Sequence, residues 1–249
     1  MKVSIITITY NSGATVRDTM QSIAKQTYPN IEHIIIDGVS KDRTLEIVAE
    51  FPHVAKVISE PDKGIYDAMN KGIQMATGEI IGILNSDDIF ANEDVLRNVV
   101  DYFQLDLEVS AVYGNISYFK TEQPEKIERT WISKTYYDNF FEDGEVPPHP
   151  ALFIRKTVYD KIGLYYPDFK VASDYEYMLK MLKVHKYKSM HLDKILVKMR
   201  LGGESSRGIY NLWLNNKEVL QAWKMNKLSP SIKFYFMRPF KKIKQLISD

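Results

Sequence analysis

The sequence contains no cysteine. That excludes disulfides, zinc–thiolate centres and a cysteine nucleophile, and it suits a reducing compartment. Long hydrophobic runs are missing as well. No window approaches the roughly 18 consecutive apolar residues of a membrane-spanning helix, so membrane contact is expected to be peripheral. Neither sign of charge is in excess: 33 Lys+Arg against 32 Asp+Glu leave a formal net charge of +1. No global field therefore points to a nucleic-acid partner. There is no Gly-x-Gly-x-x-Gly stretch and no Gly-Lys-Ser/Thr loop, so a bound phosphate would not rest in that kind of amide nest. The turn Asn11-Ser12-Gly13-Ala14 also lacks the Gly-rich, Lys/Arg-containing loop expected of a nucleotidyltransferase. Met1-Lys2-Val3-Ser4-Ile5 enters a strand at once. This leaves no room for a cleavable signal and predicts a cytoplasmic location.

What is present reads as an ordinary globular α/β chain of 249 residues, 45% hydrophobic and 26% charged. Strands are predicted over 3–10, 32–37, 54–59 and 80–84, with helices over about 14–25, 44–51 and 64–76 between them. Such alternation implies a parallel sheet with helices on both faces. After Phe103 the pattern loosens. A strand-pair region is expected over 109–118, then an aromatic, charged and irregular stretch over 121–144. Pro147-Pro148-His149-Pro150 is a hard loop, 163–170 another, and Asp174 opens a helix to about His185. A strand over 195–200 runs into a turn, Gly202-Gly203-Glu204-Ser205-Ser206.

The last stretch differs. Residues 210–227 read as helix. Beyond them Ile232, Phe236, Phe240, Ile243 and Ile247 fall at helical spacing beside Lys233, Arg238, Lys241, Lys242 and Lys244. That is the composition of an interfacial amphipathic helix, with packing on its own domain as the alternative. Pro239 would split it in two. The expected organisation is one α/β domain over 1–207, in halves 1–105 and 106–207, with a basic helical extension over 208–249.

The central feature is the apolar run Ile80 to Leu84, which ends in Asn85-Ser86-Asp87-Asp88. Ligands of open α/β sheets bind at the carboxyl ends of strands. Thr9-Tyr10-Asn11 and Asp37-Gly38 end two further strands on the same edge, which makes a cleft for a polar ligand. Two adjacent carboxylates repel unless a cation lies beside them, and a hard divalent ion bound through oxygen is the usual solution. For Asp88, a helix N-cap is the competing reading.

Together these residues resemble glycosyltransferase family 2. The matching pieces are the Val3–Asn11 strand, Asp37-Gly-x-Ser40-x-Asp42-x-Thr44, Glu60-x-Asp62-x-Gly64 through Gly72, and Gly78-Glu79 through Asp88. The second half matches through His149-Pro-Ala-x-Phe153, Gly163-x-Tyr165, Ser173-Asp174-Tyr175-Glu176 and Gly202-Gly203-x-Ser205. The set is similar to bacterial surface-polysaccharide enzymes of the colanic-acid and amylovoran type. The resemblance implies a GT-A fold with a mostly parallel central sheet, and an inverting, metal-dependent transferase. The donor would be a UDP-, GDP- or dTDP-sugar, and the acceptor a glycan or lipid-linked molecule at the inner membrane face.

The resemblance also implies site roles. Asp37 contacts the nucleotide base, with Thr9 and Asn11 lining the same pocket. Lys63, Asp67, Asn70, Asn85 and Ser86 fall on the donor side. Asn85-Ser86-Asp87 takes the Asp-x-Asp position, with Asn in its first place, so Asp87 and then Asp88 would hold Mg²⁺ or Mn²⁺. Asp174 is the catalytic base, and His149 would contact the diphosphate or metal. The residues alone permit plainer roles. Asp174 is also a favoured first-turn acid, and His149 a rigid-loop residue. Lys63 and Arg43 could be solvated loop charges, Asp67 and Asn70 a solvated helix face, and Asp42 a loop cap. The aromatics from Trp131 to Phe141 read as core.

Overall fold

The first half builds four strands and three helices in alternation. They are β1 (Val3–Thr9), α1 (Val16–Ala24), β2 (Ile31–Asp37), α2 (Thr44–Ala49), β3 (Val54–Ser59), α3 (Ile65–Met75) and β4 (Ile80–Ile83). The computed structural model describes residues 1–121, 123–202 and 209–238. β1 runs parallel to β2, from Val3 opposite Ile31 to Thr9 opposite Asp37, so both strands end level. β1 also pairs in parallel with β4, and β2 with β3. The β-branched residues of β1, β2 and β4 are almost all buried, as strands covered on both faces require. α3 lies close on this sheet. A Cβ at Gly72 would stand 2.4 Å from Ile6 Cγ2, so only glycine fits there.

The second half extends the same sheet with β5 (Ile89–Phe90), β6 (Ala111–Lys120), β7 (Gln123–Trp131), β8 (Leu152–Arg155) and β9 (Ser189–Arg200). Strand order is β3-β2-β1-β4-β8-β6-β9-β5, with β7 paired to β6. The parallel part is β3-β2-β1-β4 together with the β6–β9 pair. β8 is antiparallel to both β4 and β6, and β5 to β9. Helices α4 (Val95–Leu105), α5 (Lys156–Ile162), α6 (Ser173–Leu179) and α7 (Ile209–Met225) flank it, and residues 232–238 form a further helix, α8.

Four local expectations change. The stretch 121–144 is not irregular throughout, because 123–131 is a strand antiparallel to β6. Its Glu125, Lys126 and Glu128 are exposed or ion-paired, which hides a strand signal. β6 is one ten-residue strand rather than a pair, and β9 begins six residues before Ile195. Asp88 is followed by strand β5, and α4 starts at Val95 after Asp94. The N-cap alternative for Asp88 therefore falls.

α7 and α8 pack on the domain through Trp223 and Phe234, both buried with ring centroids 5.4 Å apart. Ile232 and Phe236 on α8 stay 80% and 71% exposed. Phe240, Ile243, Ile247 and Pro239, and the turn from Gly203 to Ser206, lie outside the described residues. Among those described, no helix is long and apolar enough to cross a membrane.

Candidate active site

The carboxyl ends of β1 and β2 are bound together by one carboxylate. Asp37 is fully buried and accepts hydrogen bonds from Thr9 Oγ1 (2.9 Å), Ser59 Oγ (2.7 Å), Ser40 N (2.9 Å) and Ser40 Oγ. Burial pushes its pKa up, but the hydroxyl and amide donors outweigh burial and hold it below the ordinary value. Asn11, at φ 49°, donates its amide to Ser40 Oγ (2.8 Å), and its Oδ1 accepts from Lys41 N (2.8 Å). Asp42 accepts from Gly13 N (2.8 Å) and Thr44 N (3.0 Å), a loop-bridging role. Thr9, Asn11 and Asp37 therefore fix a single rim built from two loops.

The acidic loop leaves β4 beside this rim. Ser86 Oγ is 2.8 Å from Ser12 Oγ, which links the two. Asp88 is 1% exposed; its Oδ2 accepts from Asn85 Nδ2 (3.2 Å) and its Oδ1 from Arg200 N (3.4 Å). Burial, and then the Asp87 charge, push the Asp88 carboxyl well up; burial also raises Asp87. Both acids are thus held where their anionic forms are under-compensated. Arg200 stands beside them, but its Nε donates to the Asp87 carbonyl (3.3 Å) and its terminal nitrogen to Asp18 Oδ2 (2.7 Å). Asn85 Oδ1 is buried with no hydrogen-bond partner. Two carboxylates and an orphaned amide oxygen are a hard-oxygen donor set, which fits a divalent ion. Among the described residues no three His, Cys, Asp or Glu side chains converge on one point. Mg²⁺-type sites on one or two carboxylates usually complete their shell with water and ligand phosphate.

A cavity of ≈ 670 Å³ opens beside Asn85 and is lined by Tyr66, His149 and Asp174. Asp174, in the first turn of α6, accepts from the Tyr66 hydroxyl (3.0 Å). α6 is fixed from behind. Glu218 of α7 accepts the amides of Lys170 (2.8 Å), Val171 (2.9 Å) and Ala172 (3.0 Å), which set the entry to the helix. His149 Nε2 lies 2.9 Å from the Tyr165 hydroxyl, itself 3.2 Å from that of Tyr159. Burial lowers the His149 pKa, against the nearby Asp174 charge.

Residues 4–163 match the family model described as glycosyl transferase family 2. The chain belongs to that family. Over 181 residues this family 2 transferase is 35% identical to an uncharacterized glycosyltransferase of Mycobacterium tuberculosis, covering 72% of this chain and 68% of the relative. A PGL/p-HBAD biosynthesis glycosyltransferase of Mycobacterium bovis is 29% identical over 181 residues, with 71% and 68% covered. The structure of S. aureus TarS 1–349 with UDP-GlcNAc superposes at a TM-score of 0.69 and 19% identity, covering all of this chain and 74% of that one. The longer TarS chain is covered to 44%. The Pyrobaculum calidifontis mannosyltransferase PcManGT, with GDP-Man and Mn²⁺, gives 0.62 at 18% identity, covering 100% and 76%. At such identities the likeness shows the fold, which is GT-A.

The glycosyltransferase does not gather every residue that the resemblance suggested. Asn70 uses both ends of its amide on the Tyr165 backbone, donating to the carbonyl (2.8 Å) and accepting from the amide (3.0 Å). Asp67 accepts from Lys63 N (3.0 Å) and lies 3.6 Å from Lys71 Nζ. The Lys63 side chain is exposed on the loop before α3. None of these three lines the cavity. Sequence reasoning missed Tyr66, Arg200 and Glu218. Tyr66 lay inside a quoted motif, whereas Arg200 and Glu218 carried no local signal.

Proposed function

We propose that this glycosyltransferase inverts configuration at the sugar it transfers, from a UDP-, GDP- or dTDP-linked donor to a hydroxyl of a glycan or lipid-linked acceptor. Bacterial surface-polysaccharide assembly is the proposed setting, and the PGL/p-HBAD biosynthesis relative is in keeping with it. The carrying observation is that Asp174 and Asn85, from opposite halves of the chain, line one cavity. The acceptor oxygen attacks the anomeric carbon, the bond to the diphosphate oxygen breaks, and the hydroxyl proton passes to an Asp174 oxygen. Carboxylates are weak bases for alcohols, so proton transfer must be late and the geometry well held. Tyr66 supplies that hold at Oδ1.

Asp87, with Asp88 and Asn85, would hold Mg²⁺ or Mn²⁺, whose chemistry as a Lewis acid is to stabilise the departing diphosphate. Thr9, Asn11 and Asp37 shape the base pocket through their rim. Because its oxygens are already satisfied, Asp37 acts by placing the 38–44 loop. His149, in contact with Tyr165, faces the diphosphate from the acceptor half. Asp67, Asn70 and Lys63 serve the donor side by anchoring α3. The exposed Ile232 and Phe236 of α8 suit a peripheral contact with the inner membrane face.

A thermal-shift panel of UDP, GDP and dTDP, with and without Mn²⁺, tests the donor reading. One nucleotide should raise Tm, and more with the metal, because a ligand selective for the folded state stabilises it. No shift with any of the three would remove the reading.

A further inference from the structure

α7 and α8 also contribute to the wall of the cavity. Arg238 of α8 lines it, together with Asn215, Val219 and Phe234. Its guanidinium donates to Asn215 Oδ1 (2.6 Å) and Asn216 Oδ1, and its carbon lies 5.9 Å from the ring centroids of both Tyr175 and Phe234. Neutral amides and ring faces are thus its partners. Among the described residues it makes no ion pair, and burial pushes its pKa down. The two acids lining the cavity are Asp174 and Glu145, and Glu145 pairs with Lys134 at 3.0 Å. A half-buried cation at a cavity wall, held among the described residues by neutral partners alone, is placed to meet the charge of a ligand. A guanidinium with two amino groups pinned by amides still offers N–H donors in the fork geometry that matches a phosphate.

We propose that Arg238 is the anion pole of the acceptor site and takes the phosphate of a lipid-phosphate acceptor. This rests on the reading that the cavity holds the acceptor. Tyr175, under the guanidinium, directly follows Asp174, so phosphate and reacting hydroxyl would lie on adjacent residues of α6. The apolar wall of Val219, Phe234 and Met178 suits the start of an alkyl chain.

Octyl phosphate, inorganic phosphate and octanol are suitable probes, titrated into the full chain with tryptophan fluorescence as the readout. Trp131 lines the cavity, and Trp223 stacks against Phe234. The wild type should bind octyl phosphate at least tenfold more tightly than octanol or inorganic phosphate. Arg238→Gln should remove the preference for octyl phosphate over octanol while leaving octanol affinity unchanged. If that variant fails to fold, Arg238→Lys reads the same comparison, with a threefold or greater loss for octyl phosphate alone. Equal affinities in variant and wild type would overturn the proposal. Inorganic phosphate binding as tightly as octyl phosphate would replace the lipid source with free phosphate and also overturn it. So would loss of the nucleotide-induced Tm shift in the variant, since Arg238 would then serve the donor. Failure of every nucleotide to stabilise the wild type would count against the donor reading alone.

Discussion

At the scale of single residues, the proposed chemistry rests on one carboxylate held by one hydroxyl. Asp174→Asn keeps the shape and removes the proton acceptor. Transfer should fall by about 10²–10⁴-fold, the usual share of a general base. The nucleotide-induced Tm shift should persist, and near-full turnover in the variant would remove Asp174 as the base. Tyr66→Phe removes the hydroxyl bonded to Asp174 Oδ1, and kcat should drop about tenfold with donor affinity unchanged. Asn70→Ala should act differently. It deletes two hydrogen bonds to the Tyr165 backbone and should cost about 1–3 kcal/mol in urea unfolding, with little change in donor KM. Ordered motifs in the sequence pointed to Asp174 and Asn70 alike. They did not show where each side chain turns, because Asn70's partner lies 95 residues away.

At the scale of elements, strands buried on both faces were legible and strands of polar sequence were not. β1, β2 and β4 are unbroken aliphatic runs, so their positions follow from composition. β7 carries Glu125, Lys126, Glu128 and Arg129, and β9 opens with Ser189, His191, Asp193 and Lys194. In both, pairing with β6 overrides a polar sequence. The fit of α3 on the sheet gives an element-level test. Gly72→Ala would place a methyl 2.4 Å from Ile6 Cγ2 and 3.3 Å from Ile36 Cγ1. Overpacking of this kind costs about 1–3 kcal/mol, against about 1 kcal/mol gained in helix propensity. A net loss of Tm is expected, with the midpoint of thermal unfolding as the measure.

At the scale of the whole molecule, buried ionisable groups of opposite effect should set how stability varies with pH. His33 is fully buried, 3.0 Å from Thr7 Oγ1 and stacked on His53; burial, and then the His53 charge, lower its pKa to about 3 from 6.5. Between those values the unfolded chain binds a proton that the folded one refuses. His33 alone therefore lowers stability by up to about 1.4 kcal/mol for each unit of falling pH, while the raised Asp88 carboxyl, which gains its proton in the folded state, opposes it. Glu32 adds to the loss at lower pH. Burial raises its pKa, but donors from Ser4, Thr77 and Lys2 bring it to about 2. Its stabilisation is complete above about pH 4.5 and is lost as pH falls towards 2. Urea unfolding at pH 7, 5.5 and 4.5 gives the net slope. His33→Gln should shift that slope towards greater relative stability in acid, and an unchanged slope would exclude His33 as a contributor. The sheet order gives a second test. β5, from the first half, sits at the far edge beside β9. A fragment of residues 1–105 should accordingly show no cooperative unfolding transition.

The reach of one contact also bears on how the enzyme is born. Asp88 Oδ1 is bonded to the amide of Arg200, 112 residues further along. A ribosome adding roughly 5–20 residues per second needs on the order of 6–20 s to cover that interval. Throughout it, the acidic loop of the nascent chain lacks the strand that backs it. The acidic loop is therefore completed only once β9 has left the exit tunnel, and until then the unpaired edge strands of the emerging sheet are the surface a chaperone would meet.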